Sequence, residues 1–572
     1  MSKAMKTYFS HWLLFFLLTF STSAQDLDER YISAWKAFYP SQALESGMRS
    51  SVFYYEDLSE ASINQWLDFN ERILTLLSQP DAQIDPSDKR LLRVQAQSEV
   101  DTWKNLNMHT NSFNLYAELI SDAIPTFIKA DYLLDNEKVN VICNRLISIE
   151  KLALAAQKNL RNVSKGDLEE GLENLSKSLK YLTQGDFKSR GANSISRECP
   201  AMDSTIRSIE SLKVFALEKF QDNTLPDTSI LGRQEYDRRL KLYTDSDLTS
   251  TELAEMALNE IRTVRALLWE VSKQYLVETY PDKNLPKNDL EIIDLALADM
   301  EKDAPLNSAD YLQFWQQLAD SAVGFIQKNN IATLPKNQTL RIQTAPESAG
   351  PAARIGWVAS APPFDPNPMT TLNLPSIPDT LPKQEQVDFW ASFNKPFNRM
   401  IVIHELFPGH YMQLKISRET PHSLRLLFPY GIFIEGWATF TEKVLLDAGW
   451  EAENKLTFLA HLRKRLENAN RAYTSVQVHC NDWNQEQVLK FSTETSLLAP
   501  QFAKSLWGRI MNSPLQLTSY YLGGAQFTQL LKTEKERLGD NFDLKYFMDT
   551  IMKAGPIPIE EFYDIFKNTS SN

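Results

Sequence analysis

A chain of 572 residues exceeds what one hydrophobic core absorbs, since single cores stop growing beyond roughly 250–300 residues, so two or more lobes are expected. Hydrophobic residues at 43% against 23% charged, with 12 Trp, exclude a disordered chain. The net charge of −13 provides no global basic field for a phosphate backbone, which argues against nucleic acid as a ligand.

Lys3 and Lys6 precede the apolar run Trp12 to Phe20, which ends in Ser21-Thr22-Ser23-Ala24 before the charged Asp26 and Asp28. This pattern predicts a secretory signal peptide over residues 1–24, cleaved after Ala24. The run is shorter than the about 20 residues a helix needs to span ~30 Å of hydrocarbon, so no stable membrane anchor is expected after its removal. The expected location is exported, periplasmic or secreted.

Residues 25–225 are expected to form an N-terminal helical region and 226–572 a helical catalytic region. Val139, Ile142, Leu146, Ile149 and Ala153 make one apolar stripe at helical spacing. Leu253, Ala257, Ile261, Val264, Leu268, Val271 and Tyr275 make another, preceded by Thr249 and Glu252 in the pattern of a capping box. Both stripes read as core. Asp222–Thr228 reads as a linker or long loop. Cys143, Cys199 and Cys480 are too few for a disulfide framework. One bridge, Cys143 to Cys199, is allowed in an oxidising compartment, and buried free thiols fit equally well.

Between Pro335 and Pro382 the helical pattern gives way to prolines beside short β-prone runs, which predicts a small sheet with edge strands. The run from Thr371 to Leu374, with Asn373, is expected to be such an edge, able to pair with an extended substrate. Helix resumes near Lys383.

The chemistry is concentrated in Ile401-Val402-Ile403-His404-Glu405-Leu406-Phe407-Pro408-Gly409-His410. Two imidazoles on a rigid element suit Zn2+, and a carboxylate beside them suits a general base for hydrolysis. The usual zincin spacing is four, and here it is six. In a straight helix six steps leave the rings roughly 120° apart, unable to share an ion. Pro408 and Gly409 therefore predict a bulge or kink that returns His410 to the face of His404. Glu435 and Glu442 follow on a second helix, seven residues apart and so on one face. Spacing leaves open which acid touches the metal; Glu435 is the choice, with Glu442 orienting a ligand His from behind. The competing reading is two satisfied core histidines around a Pro kink. His-acid-x4-His arises by chance about 0.01 times in a chain of this composition, which disfavours it.

These residues resemble the DUF885 family of bacterial, often exported, proteins, grouped with the HExxH-type zincin peptidases. The blocks that carry the resemblance are HELFPGHYMQ, EGWATFTEK, RAYTSVQVHCNDWN and PLQLTSYYLG, with further similarity from Gly232 through Glu260. The resemblance implies a mainly α, multi-helical, zincin-like (gluzincin-type) fold with a small β-sheet beside the active-site helix. It implies His404, His410 and Glu435 as zinc ligands and Glu405 as general base. Tyr520 would be a donor to a developing oxyanion, and Arg471 and His479 would hold a substrate carboxylate or carbonyl. Two departures bear on substrate preference: Tyr411 replaces the family's usual second His, and the usual Gly beside Pro368 is lacking. The function expected is an exported zinc metallopeptidase acting on peptide bonds in short peptides. The alternatives are a zinc amidohydrolase of non-ribosomal or cell-wall amides and a noncatalytic, zinc-stabilised binding protein.

Overall fold

The computed structural model describes residues 27–79, 84–123, 133–183, 199, 201–220, 230–337 and 339–569. The signal peptide and the linker expected at Asp222–Thr228 lie outside the described residues. The architecture is mainly helical with one small sheet.

Helices α1 (Leu27–Phe38), α2 (Glu60–Leu77) and α3 (Pro86–Val100) open the chain. Next, α4 (Phe113–Asp122) packs on α6 (Lys165–Thr183) while α5 (Asp135–Asn159) packs on α7 (Met202–Lys219). Ile142, Leu146, Ile149 and Ala153 on α5 are buried, as their spacing predicts. Cys143 and Cys199 are paired with Cα atoms 5.4 Å apart, within disulfide range, so the bridge rather than two free thiols is found; Cys480 is free.

Helix α8 (Arg233–Thr244) leads to the long α9 (Ser250–Thr279), which begins with the predicted capping box. The Thr249 N–H donates to Glu252 at 2.9 Å and the Glu252 N–H to Thr249 Oγ1 at 3.3 Å. Leu253, Ala257, Ile261, Val264 and Leu268 then line its buried face, each large side chain contributing roughly 1.5–3 kcal/mol. Helices α10 (Asp289–Lys302) and α11 (Ser308–Lys328) complete this half.

The sheet lies where the prolines cluster: β1 (Leu340–Thr344), β2 (Trp357–Ala359) and β3 (Thr370–Leu374), in the order β1-β3-β2. Strand β1 runs parallel to β3 with Leu340 opposite Thr370, and β2 antiparallel with Trp357 opposite Asn373. This overturns the expectation of an edge at Thr371–Leu374. The prolines that signalled an edge flank β3 and none lies inside it, so nothing keeps it from the centre. Asn373 is buried, its backbone has neighbours on both sides, and its Oδ1 accepts from Gln343 Nε2 at 2.9 Å. It offers no face to a substrate.

The remaining helices of eight residues or more are α12 (Lys383–Ser392), α13 (Lys395–Glu405), α14 (His410–Ser417), α15 (Gly431–Asp447), α16 (Lys455–Asn481), α17 (Pro500–Asn512), α18 (Gln516–Leu538), α19 (Leu544–Ala554) and α20 (Glu561–Thr569). Helix α16 packs along α9, and α18 along α15. One apolar core runs from α1 to α20, and a second lies among α9, α10 and α16. Tyr31 and Trp35 set their rings edge-on to Phe428 at 5.6 and 5.4 Å, so the two expected regions share the larger core. No helix among the described residues is long and apolar enough to cross a membrane.

Candidate metal centre

Helix α13 starts at Asn394, whose side chain accepts from the Phe397 N–H at 3.0 Å, and carries an apolar face through Val402 and Ile403 to His404. Its hydrogen-bond ladder then widens. Leu406 still bonds four residues back to Val402, but Phe407 bonds five back to Val402 and Gly409 six back to Ile403. Met412 also bonds six back, to Leu406, and the four-residue pattern returns with Gln413 to Gly409. Pro408 has no N–H to contribute, and its carbonyl is capped by Trp437 Nε1 at 2.9 Å. A Cβ on Gly409 would lie 1.9 Å from the His404 carbonyl oxygen, so only glycine permits this close approach.

The predicted bulge or kink is thus a break: α13 ends at Glu405 and α14 begins at His410. The widened turns absorb two extra residues, and a spacing of six does the work of four. The rings of His404 and His410 meet with centroids 4.8 Å apart at 85°.

Helix α15 supplies the third group. It touches α18 backbone to backbone, because Gly436 and Gly523 face each other and a Cβ on Gly436 would lie 2.4 Å from the Gly523 Cα. Glu435 precedes one of these glycines and Tyr520 stands one turn before the other, so the crossing brings them together. Glu435 Oε2 lies 3.4 Å from His410 Nε2 and 3.7 Å from His404 Nε2.

Glu442, two turns along α15, is fully buried. Its Oε1 lies 2.8 Å from His404 Nδ1 and its Oε2 3.1 Å from His461 Nδ1. An ionised carboxylate only accepts, so both rings donate through Nδ1, and His404 turns its Nε2 toward Glu435. Burial alone would raise the Glu442 pKa, but His404 and His461 bring it down to about 2. Glu435 follows the same pattern: burial opposes its charge, and His410, His404 and Tyr520 outweigh it, taking the carboxyl to about 2. Burial pushes the His410 imidazolium down, yet Glu435, Glu405 and Glu442 reverse the sign and raise it.

Do these residues fit a zinc ion? Tetrahedral ligands at about 2.0–2.1 Å stand roughly 3.4 Å from one another. The separations of 3.4 and 3.7 Å match that spacing, and all three donor atoms lie within 4.8 Å of one another. The Nε2 atoms of His404 and His410 both face Glu435 Oε2, which is shielded from solvent without a hydrogen-bond partner among the described residues. Two imidazoles and one carboxylate facing one point are a donor set that suits zinc. The residues fit.

The other predicted residues divide. Glu405, half-buried, ends α13 immediately beside His404. Tyr520 sits beside Glu435, with Gln516 Nε2 donating to its oxygen at 3.3 Å and Arg471 stacked 4.6 Å from its ring centroid. His479 does not join them. It is buried, its Nε2 donates to the Ile510 carbonyl at 3.0 Å, and its Nδ1 accepts from the Leu231 N–H at 3.3 Å. With both nitrogens committed and Tyr236 stacked on the ring, it ties α8 to α16 and cannot hold a substrate. Tyr411 is also a tie: its hydroxyl accepts from the Thr339 N–H at 2.9 Å and joins α14 to the residue before β1.

Two members of the site escape sequence reasoning. His461 is one: it lies within the apolar run Phe458 to Leu462 of α16, which reads as core and leaves no signal of its own. Tyr243 on α8 is the other: burial pushes its phenol up to about 12, and Glu435 and Tyr520 add to the shift.

A family model for bacterial proteins of unknown function, DUF885, matches residues 40–562. The chain belongs to this family. No curated protein matches it. Among solved structures, this DUF885 member is similar to a "putative lipoprotein of unknown function" from Shewanella oneidensis, with a TM-score of 0.80 at 18% identity over 94% of this chain and 98% of that one. It is also similar to the "putative lipoprotein" from Colwellia psychrerythraea, with a TM-score of 0.67 at 19% identity over 94% and 97% of the two chains. At such identities the likeness establishes the shared fold.

Proposed function

We propose that this DUF885 protein is an exported zinc-dependent metallopeptidase that hydrolyses peptide bonds, in short peptides. The observation that carries the reading is the convergence of His404, His410 and Glu435 on one point, with Glu405 adjacent and Glu442 fixing the His404 tautomer from behind. Zinc held there supplies a Lewis acid and lowers the pKa of water to about 7. Glu405 takes the proton of the attacking water and returns it to the leaving amine. Tyr520, whose oxygen accepts from Gln516 and whose hydroxyl donates to Glu435, turns its proton to the oxyanion that develops on the cleaved carbonyl. His461 and Glu442 hold His404 in place while the bond breaks. Export is supported by the residue pattern over 1–24 and by the Cys143–Cys199 pair, which suits an oxidising compartment.

The test is metal analysis of chelator-free protein followed by mass spectrometry of a peptide library after digestion. Stoichiometric zinc and defined cleavage products are expected, and Glu405→Gln should keep the zinc while losing about 100- to 10,000-fold in rate. Wild-type hydrolysis by Glu405→Gln would overturn the general-base role.

A further inference from the structure

Beyond the zinc site, α16 carries a row of polar groups that the proposed hydrolysis does not use. Lys464, Asn468 and Arg471 follow His461 on nearly one face of the helix. Lys464 and Arg471 both pair with Glu467, Lys464 at 3.3 Å. Arg471 is largely buried, and among the described residues its guanidinium hydrogen-bonds, besides Glu467, to Asn468 Oδ1 at 3.4 Å. From α17, Arg509 comes to the same place. It reaches Gln516 Oε1 at 3.5 Å and forms no ion pair among the described residues. Arg471 and Arg509 thus stand beside Tyr520, Arg471 sharing the Glu467 carboxylate with Lys464 and Arg509 holding no carboxylate among the described residues.

The donors are in excess as well as the charge. Asn468 is 2% exposed and its Nδ2 has no hydrogen-bond partner. An orphaned buried donor beside under-used guanidinium N–H groups needs an acceptor, and leaving it unmet costs about 1–3 kcal/mol. Arginine's planar fork matches a carboxylate in two-point contact. The position is informative: Arg471 stacks on the ring of Tyr520, and Tyr520 stands beside Glu435. Arg471 and Glu435 thus adjoin the same Tyr520 side chain, a short interval on the order of one to three residues of extended chain at about 3.3–3.6 Å each.

We propose that Arg471, Arg509 and Asn468 form a pocket for the free C-terminal carboxylate of a peptide, which makes the protein a carboxyl-end exopeptidase that removes one to three residues. The inference rests on the peptidase reading for the bond that is cleaved, and on the donor cluster alone for the carboxylate that is bound. Glu467 keeps Arg471 extended beneath the pocket, and Tyr520 lies between the pocket and the scissile bond.

The test is calorimetric binding to the zinc-loaded chain carrying Glu405→Gln, so that binding is read without turnover. The probes are an N-acetylated alanine-phenylalanine-leucine tripeptide with a free carboxylate and the same tripeptide with a C-terminal carboxamide. The acid should bind at least about tenfold more tightly than the amide, and Arg471→Gln or Arg509→Gln should shrink that gap to about twofold. Arg509 lies on a separate helix and pairs with no acid, so its variant keeps the test sound if Arg471→Gln fails to fold. Equal binding of acid and amide, a gap that survives in the Arg509→Gln chain, or no binding of either would overturn the pocket. A preserved gap in a chain whose wild type cleaves neither tripeptide would uphold the pocket and defeat the peptidase reading.

Discussion

Glu99 in the N-terminal layer and Glu435 beside the paired histidines are both carboxylates turned away from solvent, yet their surroundings differ in kind. Glu99 accepts from Tyr39 at 2.7 Å, Trp66 at 2.8 Å, Gln95 at 2.9 Å and Trp103 at 3.2 Å. All four are neutral donors, and burial leaves its pKa above the ordinary carboxyl value in spite of them. Glu435 faces two imidazoles and a phenol, has one oxygen with no hydrogen-bond partner, and is pulled down to about 2. A carboxylate whose every lone pair is met is a fastening. One left facing two imidazole nitrogens at 3.4 and 3.7 Å is, on the proposed reading, a socket for a cation. On that reading the same residue type serves stability in one half and chemistry in the other.

Substitutions should separate the two roles. The largest effect belongs to the socket: His404→Ala or His410→Ala should lower zinc from about one ion per chain to about a tenth or less by elemental analysis, with helicity unchanged in circular dichroism. At the fastening, Glu99→Leu would strand the Tyr39 and Trp66 donors, while Trp103 keeps the Tyr39 oxygen at 2.8 Å. It should cost about 3 kcal/mol or more in denaturant unfolding while zinc content stays at wild type. Glu442→Gln lies between the two roles, since it keeps the volume but weakens the hold on both imidazoles. A fall in zinc affinity of about 10- to 100-fold is expected in a chelator competition.

The smallest effect is a pH dependence. Because the folded pKa of Glu99 lies above its unfolded value, its contribution to stability is fully present below the ordinary carboxyl pKa and is lost as pH rises through the raised value. Glu99→Gln does not titrate. Comparing unfolding at about pH 4 and pH 8, the wild type should lose stability relative to Glu99→Gln. A gap between them that is flat with pH would contradict the burial-dominated shift.

Local signals carried much of this structure, and packing decided the rest. Thr249 and Glu252 announced the start of α9, and the apolar stripe behind them announced its buried face. The pair His404 and His410, with Pro408 and Gly409 between, was visible because Pro and Gly act on the backbone where they stand. How the turn rewinds was not, since hydrogen bonds five and six residues long have no sequence pattern of their own. β3 was misplaced because its central position depends on parallel pairing with β1, from thirty residues away, and local prolines say nothing of that partner. His461 and His479 illustrate the same limit. Each lies on the buried side of α16, and only the neighbours packed against it, Glu442 for one and Leu231 and Ile510 for the other, decide whether a histidine supports the site or ties helices together.

The most direct measurement is anomalous diffraction at the zinc edge from crystals of the zinc-loaded protein. One peak should lie within about 2.0–2.2 Å of His404 Nε2, His410 Nε2 and a Glu435 carboxylate oxygen. Fully loaded protein whose peak lies elsewhere, or whose peak engages His404 without His410 and Glu435, would contradict the single shared centre.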